Sequence, residues 1–339
     1  MKKVFGFVNE EQQVMRSSSG GAFIALCNAF ESIHGKENVS FYGVTYDKQM
    51  NVCHMRVESA KECAIFQGSK YVKSDCNQKI FTQVKEDLLN GKKVLFSGTP
   101  CQVFGLKNTL KVSNVDERDL LTVDVICHGT PDRRIWDDYK QWLENKKASK
   151  LINYSFRYKP EGWKAYPALA EFENGDKLIN TAETSVFSKM HMKAYSITKG
   201  CFSCPFSKEE RVSDITLGDF WGIENINHQI YNKKGVSLIL VNSRNGEINI
   251  DYMKNGKILL QEIEGNEYLK YQHNLRKATE KPNNYDTFWK DYEEQGYEFC
   301  LKKYLGFGNR YIFRFNIKKI VRKTIFIELY RKYKNWKKK

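Results

Sequence analysis

Between Ile80 and Lys146 the chain alternates two hydrophobic periods, and that alternation constrains the fold more than any other feature. A helix-spaced stretch from Phe81 to Leu89 precedes the apolar run Val94-Leu95-Phe96. Helical spacing resumes from Gln102 to Leu110, a second apolar run follows from Leu120 to Ile126, and Trp136 to Lys146 is helix-spaced again. Strands that are apolar along their whole length are buried on both faces, so helices must cover both sides of the sheet they form. Each of these strands runs into a cysteine, through Ser97-Gly98-Thr99-Pro100-Cys101 in the first case and Cys127-His128-Gly129 in the second. Open α/β sheets place their ligands at such carboxyl ends.

The flanking sequence extends the pattern. Val4 to Val8 reads as a strand, and Ser17-Ser18-Ser19-Gly20-Gly21 opens a helix through Ala22, Phe23, Leu26, Phe30 and Ile33. Phe41 to Tyr46 and Asn51 to Val57 pair around a polar turn, Leu169 to Ile179 forms a hairpin about Asn174-Gly175, and Val236 to Val241 is another buried strand. The expected fold is α/β, a mixed sheet core flanked by helices, with a basic helical C-terminal extension. Residues 1–80 form the N-terminal part of the core, 81–275 the part that carries the cysteines, and 276–339 the extension.

A chain of 339 residues with 41% hydrophobic and 28% charged residues buries a full core and reads as globular. Its formal charge of +15 is not spread evenly: Leu301 to Lys339 holds 14 Lys or Arg against the single acid Glu328, which leaves the first 300 residues near +2. A nucleic-acid enzyme spreads its cations over a working face and carries a recognisable motif, and neither is found here. No apolar run reaches the roughly 18 to 20 residues of a membrane span. The N-terminus starts like an export signal but meets Asn9-Glu10-Glu11 before an apolar region develops. A cytoplasmic setting is therefore expected.

In that setting nine cysteines suggest reduced thiols and metal ligands more than disulfides. Cys101, Cys127 and the pair Cys201 and Cys204, spaced C-x-x-C, form a four-thiolate set. This is the inventory of an iron–sulfur cluster or of structural zinc, and spacing alone does not separate the two. Gly98, Pro100, Gly129 and Gly200 supply the bends that wrap backbone around an inorganic core. Cys27, Cys53, Cys63, Cys76 and Cys300 share no spacing and read as buried core residues. A catalytic pair of Cys127 with His128 is disfavoured, because neighbours on a strand point to opposite faces; His128 suits a hydrogen-bond donor beside a cluster or cofactor.

Three further segments each admit two readings. Arg16 with Ser17, Ser18, Ser19, Gly20 and Gly21 is either a phosphate cradle at a helix N-terminus or an ordinary N-cap. Gly68-Ser69-Lys70-Tyr71-Val72 is either a phosphate- or ring-binding loop or a simple entry to a strand. In Asp214 to Gly222, Asp219 suits a polar group held against a planar cofactor, while Phe220 and Trp221 alone read as core.

Taken in order, RSSSGG, GSKYV, SGTPCQ, ICHG, the Arg157 to Trp163 segment, GCFSC and DITLGDFWG resemble the coenzyme F420 hydrogenase/dehydrogenase beta subunit family, from about Val4 to about Val241. The resemblance implies an FAD and iron–sulfur oxidoreductase. It implies Cys101, Cys127, Cys201 and Cys204 as ligands of a 4Fe-4S cluster, and Ser17 to Gly21, Gly68 to Lys70 and Asp219 as the border of the flavin. The ferredoxin-like C-x-x-C-x-x-C-x-x-x-C-P run of many members is missing, so that either electrons arrive from a separate ferredoxin or other electron-donor protein or this branch works differently. The other partner is then a deazaflavin or another small molecule, sugar-linked substrates of surface polysaccharide biosynthesis included. The rival is a zinc-stapled scaffold or binding protein at the membrane surface in an envelope-sugar pathway. The tail fits either: Phe313, Ile317, Ile320, Val321 and Ile327 share one arc of a helix and Arg314, Lys318, Lys319, Arg322 and Lys323 the other. That helix either contacts anionic membrane or docks on its own domain.

Overall fold

The computed structural model describes residues 3–161, 163–164, 166–253 and 258–323. In chain order the strands are β1 (Lys3–Val8), β2 (Val39–Tyr46), β3 (Val52–Val57), β4 (Lys93–Gly98), β5 (Leu120–Val125), β6 (Leu151–Ser155), β7 (Leu169–Phe172), β8 (Lys177–Ile179), β9 (Ile215–Asp219), β10 (Ser237–Val241) and β11 (Leu259–Glu262). The helices are α1 (Glu11–Arg16), α2 (Ala22–His34), α3 (Gln78–Leu89), α4 (Pro100–Val112), α5 (Arg133–Lys147), α6 (Ala182–Met192), α7 (Ile223–Ile226), α8 (Arg244–Tyr252), α9 (Tyr285–Gln295), α10 (Tyr297–Leu305) and α11 (Asn309–Lys323).

Eight strands form one mixed sheet in the order β11-β1-β10-β9-β5-β4-β2-β3. Its centre, β9-β5-β4-β2, is parallel, and antiparallel strands extend it on both sides. The apolar composition of the central strands follows from their position. Leu95, Leu121 and Val123 pack under Leu26, Ala29 and Phe30 of α2 on one face, while Val94, Phe96 and Leu120 pack against Ile80, Val84 and Leu88 of α3 and Val103, Leu106 and Leu110 of α4 on the other. A second core joins α5, α6, α9 and α10 to the small sheet β6-β7-β8 around Trp136, Tyr139 and Phe187. The hairpin β7-β8 turns at Gly175, whose φ of +86° is the left-handed backbone that Asn-Gly predicts.

Two local expectations need correction. The serines do not cap α2, whose N-cap position is Gly21 in the left-handed region with no capping side chain. They instead follow the short helix α1, unseen in the sequence, and Ser17 terminates that helix. Cys127 and His128 lie past the end of β5, so strand alternation does not govern them; Cys127 is half-buried and His128 exposed.

Candidate active site at the carboxyl ends of three parallel strands

Three adjacent parallel strands, β9, β5 and β4, carry Asp219, Cys127 and Cys101 at or just beyond their carboxyl ends. After β4, Thr99 caps α4 in a capping box with Gln102, which fixes Cys101 in the helix's first turn with its sulfur 3.1 Å from Thr99 Oγ1. Gln102 is held in turn: its Nε2 donates to Ser74 Oγ at 2.9 Å, Ser74 Oγ lies 3.2 Å from His54 Nδ1, and His54 Nε2 lies 3.1 Å from the Ser97 carbonyl. Burial holds the His54 imidazole down to about 4, so it is neutral and its Nε2 proton donates to that carbonyl.

The remaining cysteines reach this edge through a glycine. Gly129 has φ +91°, and a Cβ there would stand 2.8 Å from Ile197 Cγ2 and 3.3 Å from Cys201 Cβ. Only a bare backbone lets the Cys201 turn lie against Cys127. Thr198 N donates to the Thr130 carbonyl at 3.0 Å and Cys201 N to the Thr198 carbonyl at 2.9 Å, while Phe202 anchors the turn edge-on to Tyr285. Burial pushes the Cys127 thiol up to about 12, and the fields of Cys201, Cys101 and Cys204 push the same way, so each of those three lies within electrostatic reach of Cys127. A thiol held that high stays protonated unless a metal replaces its proton. Among the described residues no group of three or more His, Cys, Asp or Glu is arranged around a single ion.

The serine and GSKYV segments, expected from the sequence to border a flavin, also converge. Ser69 N donates to Ser18 Oγ at 2.6 Å and Gln67 Nε2 to Ser17 Oγ at 3.1 Å, joining the two loops. Gly20 threads between β1 and β10 so tightly that a Cβ would stand 2.0 Å from the Phe7 carbonyl oxygen. Gly68, with φ +78°, has open space around it. Lys70 turns back onto the Gln67 and Ile65 carbonyls at 3.0 and 3.2 Å, and burial holds its ammonium down to about 7. Asp219 sits 3.0 Å from the buried Arg157 guanidinium and accepts from Trp163 Nε1 at 3.2 Å. Arg157 also donates to Tyr71 at 3.2 Å, tying Asp219 to the GSKYV loop.

Sequence reasoning missed Lys159, Arg157 as the partner of Asp219, and His191. Lys159 is buried, donates to the Val14 carbonyl at 2.6 Å and to the Ser19 carbonyl, and feels the field of Asp219; burial holds its ammonium down to about 7. It therefore links the serine loop to Asp219. Tyr71 lies 5.9 Å from the His191 ring, and the buried atoms Arg157 Nε and His191 Nδ1 have no hydrogen-bond partner among the described residues. Such orphaned polar atoms beside flat aromatic groups, with Trp163 and Trp221 stacked at 4.9 Å, fit a planar cofactor with polar edges. The two halves meet where Ile126, next to Cys127, packs on Gly218, next to Asp219. A groove lined by His128, Met192, Ala194 and His273 opens beside them.

A family model for the C terminus of the coenzyme F420 hydrogenase/dehydrogenase beta subunit matches residues 91–266. Among solved structures, the chain is similar to a chain of the xenon-derivatised F420-reducing NiFe hydrogenase complex from Methanosarcina barkeri. The TM-score is 0.50 and the identity 15%, with 76% of this chain and 81% of that chain covered. At that identity the likeness is one of fold. No curated protein matches the sequence.

Proposed function

The chain belongs to the coenzyme F420 hydrogenase/dehydrogenase beta subunit family, and from that premise we propose that it is an oxidoreductase using FAD and a 4Fe-4S cluster to pass electrons between a donor protein and a small molecule. The observation that carries this reading is the delivery of Asp219, Cys127 and Cys101 to one edge by neighbouring strand ends, with Cys201 and Cys204 folded against it. Cys101, Cys127, Cys201 and Cys204 would hold the cluster, while Ser17 to Gly21, Gly68 to Lys70 and Asp219 would border the flavin. Bound there, a cluster carries single electrons and a flavin exchanges hydride with an organic partner.

The chain's own residues supply position and charge. The capping box and the His54-Ser74-Gln102 chain fix Cys101, and Gly129 lets Cys201 close on Cys127. Arg157 and Trp163 hold the Asp219 carboxylate in place, and Lys159 holds the Ser19 carbonyl so that the serine loop keeps one shape. Exposed Cys101 marks the edge where a ferredoxin-like donor would approach, and the groove at His128 and His273 suits a small-molecule or deazaflavin substrate. A sugar-linked substrate of surface polysaccharide biosynthesis is part of the same proposal.

The test is reduction of the anaerobically purified, flavin-loaded protein by reduced viologen, followed at the flavin absorption band. Rapid bleaching is expected in the parent, with Cys204→Ser at least about tenfold slower while flavin content is unchanged. Equal rates, or a preparation without flavin, would overturn the reading.

A further inference from the structure

Helix α11 is docked on the body by one stripe and turns a different chemistry outward. Tyr311, Phe315 and Lys319, spaced four residues apart, face α6 and β8. Tyr311 Oη is 2.8 Å from Ser185 Oγ, the Lys189 ammonium lies 4.0 Å above the Tyr311 ring and 5.4 Å above that of Phe315, and Lys319 Nζ donates to the Ile179 and Asn180 carbonyls at 3.0 and 2.8 Å. On the opposite side Phe313 is 65% exposed and Ile317 43%, and Ile320 and Val321 continue the same stripe at 61% and 48%. The solvent side of a docked helix is ordinarily polar, so four large apolar side chains there mark a contact surface. Arg310, Arg314 and Lys318 lie exposed along the edge of the stripe, and Asn309–Lys323 contains no acid.

We propose that this outward face of α11 is a lipid-docking surface, lying flat on a bilayer that carries anionic headgroups. The charge pattern selects that partner. Nucleic acid would use the cations but leave Phe313 and Ile317 in water, whereas the headgroup boundary takes both at once, apolar side chains into the acyl region and cations among the phosphates. Because the first 300 residues are near neutral, the attraction is local to this end of the chain. Fifteen residues of helix span only about 22 Å at 1.5 Å per residue, and among the described residues no helix is long and apolar enough to cross a membrane, so the contact is peripheral.

Sedimentation of the full chain with phosphatidylcholine vesicles, with and without phosphatidylglycerol, tests this. The protein is expected to pellet only with the phosphatidylglycerol vesicles. Phe313→Asp with Ile317→Asp should weaken that partition more than about tenfold, and Arg314→Gln or Lys318→Gln about fivefold each, all with unchanged thermal melting. Equal pelleting with both vesicle types, or binding untouched by Phe313→Asp with Ile317→Asp, would overturn it. So would a failure to bind vesicles while those same variants dissolve a dimer or release a bound duplex.

Discussion

His54 shows how one side chain links pH to the cysteine edge. Its imidazole titrates near 6.5 in an unfolded chain and is held to about 4 here by burial between Ser97 and Ser74. Between those values the unfolded state binds a proton that the folded state does not, so stability is complete above about pH 6.5 and falls as pH drops toward 4. A shift of that size corresponds to about 3 kcal/mol at 1.36 kcal/mol per unit. Urea unfolding at pH 7 and at pH 4.5 should show most of that loss in the parent and little in His54→Asn. Equal pH dependence in both would remove His54 as the source. Nothing in the sequence announces this residue. Its partners are Ser97, 43 positions away, and Ser74, 20 positions away, and a lone histidine in a strand reads as an ordinary core residue. Lys159 was hidden for the same reason, since its contacts at Val14 and Ser19 lie about 140 residues distant.

Among the elements, the turn after β5 has little freedom at Gly129. Gly129→Ala would place a methyl 2.8 Å from Ile197 in a left-handed backbone, at about 1–3 kcal/mol for the conformation alone. The Cys201 turn must then move away from Cys127. The expected outcome is a folded protein that loses most of its iron on desalting, while Gly175→Ala, also at a positive φ but with nothing near its Cβ, keeps it. Iron retention equal in the two variants would refute the packing argument. The strands and helices from β4 to α5 were legible because their hydrophobic periods match strict burial on a parallel sheet. Helix α1 was not, as its six residues bury only Val14 and carry no periodic signal. The contact of the serine loop with residues 67–69 was also illegible, because it depends on where β1 and β2 sit in the sheet and not on either loop's composition.

For the whole molecule, strand order converts distant motifs into one site. β9 and β5 lie side by side although 89 residues separate the end of one from the start of the other. That adjacency joins DITLGDFWG to ICHG, and the parallel neighbour β4 adds SGTPCQ. The ordered motifs were visible in the sequence; their convergence required the sheet. The central claim, that the four cysteines and the serine–aspartate cradle form one redox centre, is tested most directly by iron, acid-labile sulfide and flavin analysis of a single anaerobic preparation. The account predicts a brown-yellow protein with about four irons, four sulfides and one FAD per chain, losing iron and sulfide together in Cys101→Ser, Cys127→Ser, Cys201→Ser and Cys204→Ser. A colourless protein carrying zinc, without sulfide or flavin, would contradict it.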